Sequence, residues 1–158
     1  MAVMTNDTGE APSDREVVTS RVLDAPRELV FDAWSDPARL ARWWGPNGFT
    51  NTFAAFDLRP GGIWRFVMHG PDGVDYKNES VFVEVVRPER IVLLHVSGPR
   101  FRLAATFADH DGKTPLTWRM RFDTAAECEK VKAIVVPANE QNLDRLAAEL
   151  AASSPSRA

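Results

Sequence analysis

Hydrophobic and polar residues alternate with a period of two between Asn51 and Asp123, and turn-forming residues interrupt this alternation at short intervals. Such alternation is typical of strands that bury one face, and short turns connect antiparallel neighbours. The segment therefore predicts six strands joined by hairpins. The predicted turns lie at residues 59–62, 71–73, 87–89, 97–99 and 109–112.

The predicted strands carry their large apolar side chains on one face. After the first turn, Trp64, Phe66 and Met68 occupy every second position. The corresponding positions of the last two strands are Phe101, Leu103, Ala105 and Phe107, and Leu116, Trp118, Met120 and Phe122. The positions between such apolar residues include Arg65, Arg102, Arg119 and Arg121. The pattern therefore predicts a sheet with one apolar, aromatic face and one charged face in solvent.

The alternation does not assign the faces of the strand after residue 73. One face carries Tyr76, Asn78, Ser80, Phe82 and Glu84, and the other includes Val81, Val83 and Val85. Phe82 favours burial of the first face, whereas the valines favour burial of the second. Both assignments stay open at this stage.

Helical signals flank the strand region. Glu16 to Leu23 is rich in strand-forming residues and predicts a first strand, after which Pro26 opens a helix that runs to about Trp34. Pro37, preceded by a capping Ser35 or Asp36, begins a second short helix that ends at the Trp-Trp-Gly-Pro stretch 43–46. Two short helices are therefore expected between the first two strands.

A long helical stretch closes the chain. Thr124 and Glu127 form a capping-box pattern, and the helix is expected to continue to about Leu150. Pro137 lies inside it and predicts a kink or two abutting segments. The apolar stripe expected to face the sheet consists of Val131, Ile134, Val135, Ala138, Leu143, Leu146, Ala147 and Leu150.

Together these elements predict a two-layer α+β domain in which a curved antiparallel sheet of about seven strands wraps round a long C-terminal helix. The domain is expected to span residues 15–150, with a flexible leader at 1–14 and a flexible tail at 151–158. An apolar pocket is predicted between the sheet and the helix.

Composition excludes several classes of function. The net charge of −3 and the isoelectric point near 5.6 lack the basic excess that nucleic-acid binding requires. Neither a signal peptide nor an apolar run near 18 residues is present, and the single cysteine, Cys128, has no partner for a disulfide, so a cytoplasmic protein without membrane insertion is expected. The three histidines lack metal-ligand spacing, and no cofactor-binding motif occurs, so neither a metal nor a cofactor is predicted.

Four segments resemble the START-like, or SRPBCC, superfamily, in the branch related to the C-terminal domain of heat shock protein 90 ATPase activators. They are residues 25–34 (APRELVFDAW), 40–46 (LARWWGP), 60–73 (PGGIWRFVMHGPDG) and 142–146 (NLDRL). The resemblance implies the helix-grip fold and a cavity. The superfamily includes lipid carriers, polyketide cyclases, hydroxylase subunits and chaperone activators, so the fold alone does not determine the function.

Three functions are compatible with the sequence. The leading hypothesis is a pocket for a hydrophobic small molecule such as a lipid, a sterol or a polyketide-like ring. The resemblance also implies a co-chaperone-like module that docks a chaperone or client protein, for which the arginine-rich outer strands are the candidate surface. A cyclase or hydrolase would need an acid or base such as His69, Tyr76 or Glu84. Exposed edge strands make a homodimer a further expectation.

The candidate ligand contacts are those aromatic, apolar and polar side chains that the predicted elements place toward the pocket. They are Trp44, Trp64, Phe66, Met68, Tyr76, His95, Trp118, Met120, Val135 and Asn142. No catalytic residue is assigned.

Overall fold

A seven-stranded antiparallel sheet forms one layer of the protein, and three helices pack on its inner face. The computed structural model describes residues 12–153. Its elements are β1 (Glu16–Leu23), α1 (Arg27–Ser35), α2 (Pro37–Trp43), β2 (Thr50–Phe56), β3 (Ile63–His69), β4 (Asp75–Val86), β5 (Arg90–His95), β6 (Phe101–Phe107), β7 (Thr114–Phe122) and α3 (Ala125–Ser153). The strand order is β1-β7-β6-β5-β4-β3-β2, so β1 and β2 form the two edges.

The predicted helix-grip α+β fold is confirmed, with two short helices after the first strand and all six later strands joined by short turns. The turn at 59–62 shows why its glycines are needed. A side chain at Gly62 would place its Cβ 1.9 Å from the carbonyl oxygen of Asp57. Only glycine permits this close approach of two backbone segments. Most of the predicted leader and tail, residues 1–11 and 154–158, lies outside the described residues.

The two short helices begin and end where their sequence signals lie. Asp36 accepts a hydrogen bond from the amide of Ala38 at 3.1 Å, so Asp36 rather than Ser35 caps α2. Pro37 occupies the first helical position, where its missing N–H costs nothing. The indole of Trp43 donates to the carbonyl oxygen of Ala33 at 3.0 Å and thereby ties α2 to α1.

α3 continues through Pro137 as one helix, so the prediction of two abutting segments is wrong. Proline removes only one backbone hydrogen bond, and ion pairs that follow it hold α3 against β1. Arg21 of β1 reaches Asp144 at 2.6 Å and Glu140 at 2.8 Å. The predicted inner stripe also needs one correction, because Ile134 is 72% exposed.

A bulge in β4 explains why both of its faces looked apolar. The pairing between β4 and β5 shifts register between Phe82 and Glu84, so Val83 is the additional residue. Phe82 is buried in the core, as is Ser80 before it, whereas Glu84 pairs with Arg90 on the outer face. The first half of β4 therefore directs its even-numbered residues inward, and after the bulge the odd-numbered Val85 packs against the core.

The outer face is not uniformly in solvent, which corrects the expectation for Arg119. Its side chain is only 2% exposed, and it donates to Glu16 Oε1 at 3.0 Å. Arg121 contacts the other oxygen of Glu16 at 3.3 Å. The cause is the β1–β7 register, which pairs Glu16 with Arg121 and Val18 with Arg119 across the two strands.

Glu16→Gln is expected to lower the free energy of unfolding at pH 7 by ~3 kcal/mol, because it removes the negative charge that buried Arg119 and its neighbour Arg121 contact. Burial alone raises the pKa of Glu16, but the Ser13 amide and the two arginines outweigh burial and lower this pKa below 4.5. The stabilisation is therefore complete above the unfolded value of 4.5 and is lost as the pH falls through the folded pKa.

Urea unfolding of both proteins between pH 7 and pH 3 measures this effect. The stability difference should shrink in acid, whereas a difference that stays constant would contradict the prediction. Asp24→Asn, at an exposed carboxylate, is the control.

Candidate ligand cavity

A cavity of about 250 Å³ lies between the inner face of the sheet and α3. Strands β3 to β7 form its floor and walls, α3 closes it from above, and the loop after α2 forms its rim. The lining consists of Trp44, Gly45, Pro46, Phe66, Met68, Asn78, Ser80, Leu93, His95, Pro99, Phe101, Leu103, Trp118, Met120, Val135, Ala138, Asn139 and Asn142. None of these described residues is Lys, Arg, Asp or Glu.

Aromatic rings build one end of the cavity. Trp44 stacks on Trp118 with ring centroids 5.4 Å apart and 20° between their planes. Trp64 lies 4.9 Å from Trp44 and 4.4 Å from Phe66. Because each ring is held by its neighbours, this wall is rigid and presents flat, apolar surface.

The structure brings eight of the ten predicted contact residues to the cavity. They are Trp44, Phe66, Met68, His95, Trp118, Met120, Val135 and Asn142. Trp64 is buried one layer behind the wall and does not line the cavity. Tyr76 is also absent from the lining, because it is 45% exposed and packs beside Phe49, with ring centroids 5.9 Å apart.

A small polar corner interrupts the apolar floor where β4 meets β5. Ser80 is paired with His95 across the two strands, and Asn78 lies two residues before Ser80 on the same face. His95 contacts Asn78 Oδ1 at 2.7 Å through Nε2, and the carbonyl oxygen of Pro99 at 2.8 Å through Nδ1. The sequence predicts His95 as a ligand contact but not Asn78 or Ser80, because the buried face of β4 cannot be assigned without its bulge.

Burial favours the uncharged form of His95. Burial lowers the pKa of its imidazole, and hydrogen bonds to the backbone of Pro99 and Ser97 oppose this effect without overcoming it. The ring also stacks on Phe101 with centroids 4.6 Å apart and only 12° between the planes. The polar corner therefore offers hydrogen-bonding groups without a formal charge.

Two α3 residues fix the rim of the cavity. Asn142 accepts a hydrogen bond from the amide of Gly45 at 3.2 Å and donates to the carbonyl oxygen of Trp43 at 3.0 Å. Arg145, which sequence reasoning did not single out, donates to five backbone carbonyl oxygens between 2.8 and 3.3 Å. Those acceptors belong to Arg42, Trp44, Gly45, Pro46 and Phe49. The rim is thus positioned by α3.

The other candidate acid and base groups do not meet in the cavity. His69 contacts Thr52 Oγ1 at 2.7 Å and Asp75 Oδ1 at 2.8 Å, but it does not line the cavity. Glu84 pairs with Arg90 on the outer face. Burial raises the pKa of the Cys128 thiol, although Lys132 opposes this effect. Within residues 12–153, no cluster of His, Cys, Asp or Glu side chains is arranged to hold a metal ion.

A sheet that wraps round a long helix, with a cavity between the two, defines the START-like class. Residues 24–151 match the family model described as activator of Hsp90 ATPase homolog 1-like protein, and the chain belongs to that family. No curated protein matches the chain. Over the described residues, none of the helices is long and apolar enough to cross a membrane.

Solved structures show the same fold at low sequence identity. A protein of Nitrosomonas europaea is 20% identical, with 90% of this chain and 97% of that chain covered and a TM-score of 0.83. A protein of Arthrobacter aurescens is 18% identical, with 94% of each chain covered and a TM-score of 0.83. The AHSA1-like protein of Aeromonas hydrophila is 21% identical, with 90% and 96% covered and a TM-score of 0.71.

Proposed function

We propose that the protein binds an apolar small molecule in the cavity between the sheet and α3. The observation that carries the proposal is a space of about 250 Å³ between the sheet and α3, with aromatic walls and a single polar corner. Small-molecule sites have this composition, in which apolar walls supply affinity and a few polar groups orient the ligand.

The volume of the cavity limits the size of the ligand. Typical sites for drug-sized ligands occupy ~300–1,000 Å³, so this cavity lies just below that range. A fused two-ring molecule or a short branched chain suits it better than a sterol or a two-tailed lipid. The stacked pair of Trp44 and Trp118 favours a flat ring.

The two alternatives have weaker support. A pocket enzyme needs an acid or base beside its substrate, and in the described lining His95 is the only titratable side chain, with both ring nitrogens already in contact with Asn78 and Pro99. A chaperone-docking surface on the outer strands would use arginines that already have acidic partners on the same face, as in the pairs Arg65–Glu79 and Arg119–Glu16. Family membership keeps a protein partner as the second candidate.

Ala138→Trp is expected to weaken the binding of 2-ethylnaphthalene at least tenfold, because the indole would occupy the cavity from α3. Ala133→Trp, on the exposed side of the same helix, is the matched control and should bind as the wild type does. Quenching of tryptophan fluorescence during titration measures the affinity. If the wild type does not bind, or if both variants bind equally, the cavity is not the binding site.

A further inference from the structure

One polar atom at the floor of the cavity lacks a hydrogen-bond partner. The side chain of Ser80 is 1% exposed, and its hydroxyl group forms no hydrogen bond within the described part of the chain. A buried polar atom without a partner is costly, and native structures pair nearly all such atoms with protein, water or ligand. The hydroxyl of Ser80 thus has an unused capacity to bind.

Packing alone does not explain why the Ser80 hydroxyl lacks a hydrogen-bond partner. Three indole N–H groups also lack partners among the described residues, those of Trp34, Trp64 and Trp118. They belong to the ring cluster, where an N–H group can face a neighbouring ring. Trp34 and Trp64 do not line the cavity, whereas Trp118 borders its aromatic end. Ser80 lines the cavity at the polar corner, opposite His95, whose two ring nitrogens contact Asn78 and Pro99.

The charge of the lining constrains what Ser80 can bind. No lysine or arginine of the described chain lines the cavity, and burial favours the uncharged form of His95, so a ligand carboxylate or phosphate would be buried without a fixed counter-charge. Burying an unpaired charge is far more costly than burying a neutral oxygen with one hydrogen bond. An uncharged oxygen fits both the apolar walls and the free hydroxyl.

We infer that the ligand is an uncharged, mainly apolar molecule whose carbonyl or hydroxyl oxygen hydrogen-bonds to Ser80 at the polar corner. The inference rests on the proposed function and adds the chemical class and orientation of the ligand. The apolar body would lie toward Trp44 and Trp118, and the oxygen toward β4.

Three probes of one shape test this inference by calorimetric titration: 2-acetylnaphthalene, 2-ethylnaphthalene and 2-naphthoate. The wild type should bind the ketone about fivefold more tightly than the hydrocarbon, which corresponds to one neutral hydrogen bond, and should bind the carboxylate most weakly. Ser80→Ala should reduce the preference for the ketone to less than twofold, through weaker binding of the ketone. Ser20→Ala, at an exposed serine of β1, should keep the preference.

Two kinds of failure are distinguishable. Binding of the hydrocarbon without a preference for the ketone, or a preference that survives in Ser80→Ala, overturns this inference and leaves the cavity as a binding site. Equal binding of the carboxylate also overturns it. Failure of all three probes overturns the proposed function and this inference together. The melting temperature of Ser80→Ala should equal or exceed that of the wild type, because no hydrogen bond is removed.

Discussion

Trp34→Ala is expected to lower the free energy of unfolding by ~4 kcal/mol, the usual cost of emptying a large aromatic site. Trp34 is 2% exposed and lies at the centre of the aromatic cluster. Its ring centroid lies 5.1 to 5.8 Å from those of four other aromatic side chains. These neighbours are Trp43, Trp44, Phe107 and Trp118. Alanine would leave a cavity that rigid rings cannot close.

Thermal unfolding followed by circular dichroism measures this loss. A reduction of ~4 kcal/mol corresponds to a fall in melting temperature of ~12 °C for a chain of this size. Trp34→Phe keeps most of the ring contacts and should lose less than half as much. A loss below ~1 kcal/mol for the alanine variant would mean that the cluster repacks, in conflict with the close packing described above.

Arg145→Ala is expected to lower the free energy of unfolding by ~3 kcal/mol, because several backbone carbonyl oxygens would lose a charged donor at once. Burial lowers the pKa of Arg145, which shows that the guanidinium group has given up part of its hydration to serve these acceptors. The acceptors surround the end of α2 and the rim of the cavity. Loss of these hydrogen bonds should loosen residues 44–49 before the rest of the fold.

Hydrogen exchange can resolve this local effect. In Arg145→Ala, amides of residues 44–49 should exchange faster than those of β6, which forms the middle of the sheet. Arg145→Lys is the sharper control. It keeps the positive charge but replaces a planar fork of five donors with a point charge, and it should recover less than half of the lost stability. Full recovery would show that charge alone, rather than geometry, fixes the rim.

The sequence predicted the elements well where one local signal decided the outcome. β1 was predicted at Glu16–Leu23, where the structure has it, and α2 begins at Pro37 as its capping residues require. The turns also followed from local chemistry, since glycine and proline restrict what the backbone can do at those positions. Four residues of the cavity lining, Phe66, Met68, Trp118 and Met120, followed from alternation within β3 and β7.

The remaining features depend on pairing between strands, which local patterns do not contain. Burial of Arg119 requires the register that brings Glu16 beside it. Exposure of Ile134 depends on how α3 is rotated about its axis, which its alternating apolar positions left undetermined. The bulge at Val83, which the sequence did not predict, explains why Ser80 and Asn78 face the cavity although valines on the opposite face looked equally buried. In each case a distant partner, rather than intrinsic propensity, determined the position.

The bulge at Val83 also divides β4 into two halves that face different surroundings. Before it, positions 78 and 80 face the cavity, and their side chains can change with the ligand. After it, Val85 belongs to the core and Glu84 to a surface ion pair. Because the bulge resets the alternation, side chains at positions 78 and 80 can be replaced without moving Glu84 or Val85 to the other face. Under the proposed function, changes at these two positions would alter binding specificity while the framework of the sheet is kept.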